Sequence, residues 1–320
     1  MGASHDSRAH RVAGPRGRRQ GRAQRKAQLL AVLRRGMARP SPAVFELNRL
    51  LCASPVDLGK VAAVVEADSA LSRAVWEACA RVGGTASWPG ESLDEAIVLL
   101  GIDRFRFVAS VQSLPSRLLN PAGSDMLRWF WRHSYRVACL SDRLGRWSGY
   151  FPVEHLFLAG LYHDLGMLPI LEVVLNGGSA AASPRDARGD IEQERRRFGL
   201  DHCALGGLMG IAWDFPPAFI DVCVHHHDPA NSSGASRLTR IVAAADALAR
   251  SQDHLPRVAA SRNPPAESRA FAEILGDLLP HLSDAQARLL AHVVGEGLGP
   301  PPGFGDPIPA GLFGGVELVT

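Results

Sequence analysis

The residues of this sequence that are best suited to chemistry are histidines and aspartates in three short stretches. His163 and Asp164 are adjacent in GLYHDLGML, His202 lies in GLDHCALGG, and His226 and His227 lie in VHHHDP. Imidazole nitrogens and carboxylate oxygens are both common ligands of zinc, manganese and iron. These stretches therefore predict a metal site if the fold brings them together, although the His163-Asp164 pair could also simply end a helix.

Two further residues, His133 in FWRHS and Asp246 in AAADALA, extend this candidate set. A carboxylate inside an Ala-rich helical run needs a cation, a partner or solvent, because an isolated buried charge is strongly unfavourable. Simpler interpretations remain open: His133 as a core or surface histidine, His202 as a helix cap, and the triplet that begins at His225 as surface composition. Separate helices that each supply a ligand type favour a common site over coincidence.

Helical periodicity dominates the sequence from about residue 41. In SPVDLGKVAAVVEAD, Ser54 is the predicted N-cap with Pro55 at the first helical position, and a second helix is predicted to begin at Asp68. In SLDEAIVLLG, Ser92 and the glutamate three residues later form a capping box, and Gly101 ends the helix. Period-two alternation of the kind that strands need is rare. The sequence therefore predicts an all-α fold.

The His163-Asp164 pair itself follows the apolar run HLFLAGLY, which predicts a helix that ends at the pair. Gly166 comes two residues later. Glycine is the residue that most readily adopts the left-handed conformation found at helix C-termini, because it has no Cβ. We therefore expect Gly166 to be a left-handed cap that closes this helix.

Composition indicates a globular protein. The chain has 320 residues, of which 46% are hydrophobic and 21% are charged, enough for one large domain or two smaller ones. It contains no uninterrupted apolar stretch of about 18 residues, and its start lacks the apolar core of a secretory signal. The five cysteines are widely spaced without a CxxC arrangement and are predicted to be reduced and mostly buried. We expect a cytoplasmic protein without membrane insertion.

Positive charge is concentrated at the N-terminus. Residues 1–40 hold eleven Lys and Arg against one acid, whereas the rest of the chain holds 24 basic and 31 acidic residues. Such an arm could contact nucleic acid, an anionic surface or the acidic body of the protein. The arm has no aromatic residue to stack on bases, and arginine is common throughout the chain. We expect a solvated, disordered arm over residues 1–38 and no nucleic-acid partner.

Four segments follow from these patterns. After the arm, the main helical domain spans residues 39–255, with a surface loop rich in small and turn-forming residues over residues 176–190. Residues 256–296 are predicted to form C-terminal helices, because apolar residues recur there at helical spacing. The tail of residues 297–320 is rich in Gly and Pro and is expected to be disordered.

The stretch from about residue 41 to residue 250 resembles an HDOD domain, an all-helical output domain of bacterial signalling proteins that is related to the HD superfamily. The resemblance rests on motifs in the order expected for that family. They are AIVLLGIDRFR, FWRHSYRVA, HLFLAGLYHDLGMLPIL, ERRRFGLDHCALGGLMGIAWDFPPAFIDVCVHHHDP and RLTRIVAAADALA. The combination is specific, and it implies a multi-helix HD-like bundle with an additional N-terminal helical subdomain.

In catalytic members of the HD superfamily, histidines and aspartates in these motifs hold two metal ions, and one aspartate bridges them. Carried over residue by residue, the resemblance implies a first site of His133, His163, Asp164 and Asp246. It implies a second site of Asp164, His202, His226 and His227. The implied cofactors are one or two divalent ions of iron, manganese or zinc, which clamp phosphate oxygens and lower the pKa of a bridging water in such enzymes.

One position departs from the catalytic pattern. The related cyclic dinucleotide phosphodiesterases have HDxGK and a GYP motif, whereas here Met167 stands at the lysine position and no GYP occurs. Methionine cannot donate a hydrogen bond to phosphate, and neither lysine of the chain lies near this motif. Phosphate handling would then depend on the metals or on an arginine, for which Arg132, Arg136 and Arg195 are near in sequence.

The resemblance implies two alternative functions. The first, which the missing lysine favours, is a non-catalytic regulatory module that binds a signalling protein or a nucleotide messenger and contains a structural metal site. The second is a metal-dependent phosphohydrolase or phosphodiesterase that acts on a nucleotide or a cyclic dinucleotide. Bound metal without turnover would favour the first function, and two bound ions with release of phosphate would favour the second.

Overall fold

The structure, a computed structural model, describes residues 15–35, 40–83, 92–112, 125–176, 190–232 and 236–252. Every regular element among these residues is helical, which confirms the predicted all-α fold. The predicted surface loop lies almost entirely outside the described residues. The predicted C-terminal helices and the Gly- and Pro-rich tail lie wholly outside them.

The described helices follow one another along the chain with short connections. They are α1 (Pro15–Arg34), α2 (Pro42–Cys52), α3 (Leu58–Ala67), α4 (Ser69–Val82), α5 (Leu93–Leu100), α6 (Ile102–Gln112), α7 (Asp125–Trp147), α8 (Glu154–Tyr162), α9 (Met167–Asn176), α10 (Ile191–Phe198), α11 (His202–Ala212), α12 (Pro217–His225) and α13 (Arg237–Gln252). A 3-10 turn at Pro229–Asn231 lies between α12 and α13.

Local capping sets the ends of the N-terminal helices. The carboxylate of Asp57 accepts a hydrogen bond from the backbone N–H of Lys60 at 3.1 Å and so starts α3. The prediction of Ser54 as this N-cap was wrong, because a cap must stand three residues before the N–H that it accepts, and the nearer carboxylate takes that position. Ser92 does cap α5, and Gly101 does end it with φ of 74°.

Helices α2 to α6 pack around a small apolar core. Val61, Val75, Ala78 and Phe105 are fully buried at its centre. These side chains recur at helical spacing and face inward from each of their helices, so burial of one apolar stripe per helix holds the bundle together. This bundle is the additional N-terminal subdomain that the resemblance implied.

A second, larger core lies among α7 to α13, with Trp131, Phe157 and Phe219 among its fully buried side chains. The long α7 packs along both α8 and α13. Gly160 permits the close approach of α8 to α7, because a Cβ at this position would lie 2.8 Å from the backbone oxygen of Val137. The end of α8, where His163 follows, is therefore held firmly against α7.

A buried arginine joins the two bundles. Arg106 of α6 donates to Asn48 Oδ1 of α2 at 2.7 Å and pairs with Asp142 Oδ1 of α7 at 3.3 Å. Its guanidinium carbon also lies 4.2 Å from the ring centroid of Phe157 in α8. Because one buried cation satisfies groups from both bundles, the packing of one bundle depends on the other.

Part of the basic arm is folded. Residues 15–34 form α1, which packs against α9 and α10. Its apolar residues Leu29 and Val32 are buried, and Arg25 Nε donates to the backbone oxygen of Arg197 at 2.8 Å. The prediction of disorder was therefore wrong for α1, because the run AQLLAVL gives the helix an apolar face to bury. Residues 1–14 and 36–38 of the arm lie outside the described residues.

One described stretch, Glu154–Leu175, is long and apolar enough to cross a membrane when judged by length and composition alone. In the folded chain, 89% of its most apolar 18-residue window is buried inside the protein. A central core helix of a globular protein has the same properties. The stretch is therefore weak evidence for membrane insertion, and its burial is explained by the larger core.

Candidate metal centre

The seven residues that the sequence suggested as metal ligands meet at one place in the larger bundle. They come from five parts of the fold: α7 (His133), the turn between α8 and α9 (His163 and Asp164), the start of α11 (His202), the residues after α12 (His226 and His227) and α13 (Asp246). No two of these parts are neighbours by chain sequence alone. The fold therefore creates the cluster.

Asp164 lies at the centre, and each of its two oxygens faces a pair of histidines. Oδ1 lies 3.2 Å from His226 Nε2 and 3.4 Å from His202 Nε2. Oδ2 lies 3.3 Å from His163 Nε2 and 3.8 Å from His133 Nε2. A carboxylate that presents its two oxygens to separate nitrogen pairs has the layout of a ligand shared between two positions.

Backbone carbonyls orient the rings of His163 and His226. Nδ1–H of His163 donates to Gly160 O at 2.8 Å, and Nδ1–H of His226 donates to Val222 O at 3.0 Å. Each ring then directs the lone pair of Nε2 towards Asp164. Both Nε2 atoms and Asp164 Oδ1 are buried without a hydrogen-bond partner. Facing lone pairs repel unless a proton or a cation lies between them, so this donor set fits a divalent metal ion.

Glu194 performs the same task for His202. Its Oε2 accepts from Nδ1–H of His202 at 2.7 Å and from the backbone N–H of His202 at 2.8 Å. The carboxylate fixes the ring at the start of α11 and makes Nε2 a stronger electron donor, as carboxylates behind metal-bound histidines do. Glu194 belongs to a motif of the family resemblance, but its contact with His202 was not predicted, since the turn after α10 brings the two together.

A cysteine adds a further donor that the sequence analysis missed. Cys203 Sγ lies 3.4 Å from His202 Nε2, and its ligand atom lies within 4.8 Å of those of His202, His226 and His227. All five cysteines carry free thiols, and four of them, including Cys203, are buried as predicted. Burial raises the pKa of the Cys203 thiol. Its position directly after a candidate histidine was the available signal.

An arginine lies at the edge of the cluster. Arg250 Nε donates to Asp246 Oδ1 at 2.8 Å, and Arg250 Nη2 lies 3.1 Å from His227 Nε2. Asp246 Oδ1 also lies 3.0 Å from His133 Nε2, and His227 Nε2 lies 3.0 Å from His202 Nε2. The sequence analysis did not consider Arg250, although its spacing of one helical turn from Asp246 was visible in ADALAR.

The two aspartates control protonation in the cluster. Burial alone would raise the pKa of each aspartate, but neighbouring positive groups, Arg250 foremost at Asp246, hold both values well below the usual range. Burial alone would lower the pKa of His163, yet the two carboxylates raise it to about 9. Burial and adjacent positive groups lower the pKa of His227 to about 2. The cluster is therefore a buried anionic site that attracts protons or cations, with a neutral His227 at its edge.

Gly166 has a different task from the one predicted. It does not have positive φ, so the expectation of a left-handed cap was wrong. A Cβ at Gly166 would lie 1.9 Å from the backbone oxygen of His202 and 2.5 Å from the backbone nitrogen of Gly206. Glycine is needed here because the backbone of α11 passes directly over the turn, which brings His202 to Asp164.

Two other residues from the sequence analysis lie away from the donor atoms. Met167, which stands at the lysine position of the phosphodiesterases, is buried in the larger core as the first residue of α9. Arg195 is paired with Asp201, and its side chain is 61% exposed. The arginine that does lie beside the cluster is Arg250.

Comparison with known proteins identifies the fold independently. A family model described as HDOD domain matches residues 37–229. An HDOD domain protein of unknown function from Geobacter sulfurreducens has 19% identity, covers 86% of this chain and 98% of its own, and gives a TM-score of 0.50. A candidate phosphohydrolase from Shewanella amazonensis SB2B has 21% identity, with coverages of 85% and 96% and a TM-score of 0.51.

A candidate signal transduction protein from Marinobacter aquaeolei VT8 has 16% identity, with coverages of 86% of this chain and 67% of its own and a TM-score of 0.51. At these identities the likeness concerns the fold. No curated protein is similar enough in sequence to count as a relative of this chain.

Proposed function

This chain belongs to the HDOD domain family, and from that premise we propose that it is a non-catalytic regulatory module of bacterial signalling with a divalent metal ion at its His/Asp cluster. The residues that would hold the ion share inward-facing donor atoms around one carboxylate. They are His133, His163, Asp164, His202, His226 and Asp246, with His227 at the edge.

The observation that carries this proposal is the burial of the donor groups. Six of the seven side chains have an exposed fraction of 3% or less, and His227 alone reaches 19%. A hydrolytic metal needs an open position for water and substrate, whereas a structural metal is closed off by protein ligands. Buried donors around Asp164 therefore favour a structural ion over a reactive one.

The residues of the cluster would couple metal binding to folding. A bound divalent ion would supply positive charge between buried carboxylates. Asp164 would then tie the turn after α8 to α11 and to the end of α12, since its Oδ1 faces His202 and His226. Such a site does not exist in the unfolded chain, so the free energy of binding adds to the free energy of unfolding. The helical surface of the module would depend on occupancy of the site.

The proposed output is contact with a signalling protein or with a nucleotide-type messenger. Family membership supports this part, together with the fold shared with the candidate signal transduction protein. A cytoplasmic location is part of the same proposal. Free thiols at all five cysteines suit a reducing compartment.

A metal-dependent phosphohydrolase is the alternative, and one observation favours it. The two oxygens of Asp164 face separate histidine pairs, as a carboxylate shared between two cations would. The fold is also shared with the candidate phosphohydrolase of Shewanella amazonensis. Two ions at these positions would supply the clamp for phosphate oxygens that such hydrolysis uses.

Phosphodiesterase assays separate the two functions. The metal-reconstituted protein is incubated with bis(p-nitrophenyl) phosphate and with cyclic dinucleotides, and the double variant His163→Ala/Asp164→Ala serves as the control. We expect equal, background rates of product release from both proteins. A rate in the wild type that exceeds the double variant by more than about tenfold, a barrier difference above about 1.4 kcal/mol, would establish the hydrolase instead.

A further inference from the structure

The cluster contains a fixed positive charge of its own. Arg250 lies one helical turn after Asp246 on α13, and its Nε donates to Asp246 Oδ1 at 2.8 Å. Its Nη2 lies 3.1 Å from His227 Nε2. The guanidinium therefore contacts two of the side chains that the family resemblance assigned to metal ions.

We propose that Arg250 takes the place of a second cation, so that this chain binds one metal ion in a cluster whose donors would otherwise hold two. This inference rests on the proposed metal site and specifies its stoichiometry. It also assigns to Arg250 a role that neither the motif positions nor the departure at Met167 provides.

The donor atoms divide into two groups. The first group is Asp164 Oδ1 with the Nε2 atoms of His202 and His226, at 3.4 and 3.2 Å. No arginine contact reaches these three atoms in the described part of the chain. The imidazole rings of this group are held by Glu194 and by a backbone carbonyl. This group is therefore ready for an ion.

The second group is already engaged by the guanidinium. It contains Asp246 Oδ1, which lies 3.0 Å from His133 Nε2 and 3.8 Å from His163 Nε2. The same oxygen accepts the N–H of Arg250 Nε. An ion placed among these atoms would compete with a charge-assisted hydrogen bond and would lie next to a cation.

His227 is removed from the ligand set by the same contact. An imidazole Nε2 has one lone pair when its proton is on Nδ1. Nη2 of Arg250 lies 3.1 Å from that atom and can only donate to it, because a guanidinium has no acceptor. His227 therefore serves Arg250 rather than a second ion.

Charge balance gives the same result. Three buried carboxylates lie in or directly behind the cluster, those of Asp164, Asp246 and Glu194. Arg250 and one divalent ion together neutralise these three charges. A second divalent ion would leave two excess positive charges in a buried site, which is strongly unfavourable.

The test is a titration of metal-stripped, tag-free protein with Mn(II), followed by calorimetry and by electron paramagnetic resonance. Arg250→Met removes the charge and both N–H donors but keeps an apolar stem of similar length. Arg146→Met is the matched control, because Arg146 pairs with Asp142 at 2.7 Å at the same helical spacing, away from the cluster. Circular dichroism verifies that each variant is folded.

We expect wild type and Arg146→Met to bind one ion tightly, with the hyperfine pattern of an isolated Mn(II). In Arg250→Met, the second binding step is expected to tighten by at least about tenfold, since a neighbouring like charge is removed, and the spectrum is expected to become that of a coupled pair. Arg250→Lys keeps the charge and is expected to keep the second step weak. Arg250→Gln replaces the Met variant if the latter does not fold.

Two tight ions in the wild type would overturn the inference while leaving the proposed metal site intact. An unchanged second step in both the Met and the Gln variants would do the same. A wild type that binds no ion would contradict the proposed function as well as the inference. The outcomes for the two proposals are therefore distinguishable.

Discussion

The hydrogen bond at one nitrogen of a histidine decides which lone pair the other nitrogen offers. In this cluster, Nδ1 of His163, of His226 and of His202 is engaged, and the partners are two carbonyls and Glu194. The Nε2 atoms that face Asp164 are consequently fixed in direction before any ion arrives. This preorganisation, at the scale of single residues, is what makes the site suitable for metal.

Glu194→Gln tests that preorganisation. The amide keeps the size of the side chain but loses the charge that orients His202, so we expect the affinity for the metal ion to fall by about 10- to 100-fold. Calorimetric titration of the stripped protein measures the change. Glu192→Gln is the control, because Glu192 lies on the same helix and pairs with Arg196 at the surface. Equal affinities in the two variants would contradict the assigned role of Glu194.

A second prediction at this scale concerns pH. The pKa of His163 rises from 6.5 to about 9 on folding, and a metal ion needs the lone pair that the proton occupies. Binding therefore displaces a proton, and metal affinity should increase as pH rises from about 6.5 to about 9. Without metal the sign is opposite: the stability that protonated His163 contributes is complete below pH 6.5 and is lost as pH rises through about 9.

Metal titrations across this pH range measure the first effect, and urea unfolding of stripped protein measures the second. His163→Gln, which cannot be protonated at this position, is expected to flatten both profiles. A metal affinity that does not change with pH in the wild type would contradict this description of the site.

Residue types predicted much of the cluster, and contacts created by the fold account for the remainder. The seven suggested residues are recognisable because histidine and aspartate in apolar helical sequence are unusual. Arg250 and Cys203 carry no such signal on their own. Arginine next to a helical aspartate most often forms a surface pair, and a buried cysteine is most often an inert core residue. Their positions beside His227 and His202 follow from tertiary packing.

At the scale of elements, the turn between α8 and α9 depends on its crossing with α11. Gly166→Ala would place a Cβ 1.9 Å from the His202 backbone oxygen, so α11 must move. We expect a loss of about 1–3 kcal/mol in the free energy of unfolding and weaker metal binding, because His202 moves with the helix. Urea unfolding and metal titration measure these effects.

Gly59→Ala is the control for this substitution. Gly59 is exposed in α3, and a Cβ there would have only Asp57 Oδ1 nearby, at 3.4 Å. Replacement of an exposed helical glycine by alanine is expected to raise stability by roughly 0.5–1 kcal/mol. If Gly166→Ala behaved like this control, the close crossing of α11 would not be required.

Element boundaries were predictable where one local signal dominated. The capping box at Ser92 and the stop at Gly101 are complete within ten residues, and both are confirmed. Gly166 carried an equally strong local signal for a left-handed cap, and that prediction failed. A glycine can be required by its own backbone angles or by the approach of a distant backbone, and sequence alone does not distinguish the two.

At the scale of the whole molecule, Arg106 couples the two bundles. Arg106→Met leaves Asn48 and Asp142 without this buried partner, and we expect the free energy of unfolding to fall by about 3–5 kcal/mol. Loss of coupling should also separate the unfolding of the two bundles, which urea titration detects as a lower m-value or a second transition.

Arg49→Met provides the comparison, since Arg49 pairs with Glu46 on the surface of α2. A change within about 0.5 kcal/mol is expected there, because exposed pairs contribute little. Similar losses in the two variants, with a single unchanged transition, would show that Arg106 does not couple the bundles.

The fold class and the succession of helices followed from periodicity, and the family resemblance added the presence of an N-terminal subdomain. The folding of α1 did not follow from either, because an excess of arginine concealed a short apolar face that only α9 and α10 make useful. The link through Arg106 was equally hidden, since it joins residues from α2, α6 and α7.

Metal content is the measurement that tests the central claim most directly. Tag-free wild type and His163→Ala/Asp164→Ala are purified without chelators and analysed by plasma mass spectrometry, before and after incubation with iron, manganese and zinc. We expect one ion per chain in the wild type and none in the double variant, since Asp164 joins all four histidines that face it. A wild type that carries no ion and gains none on incubation would contradict the account.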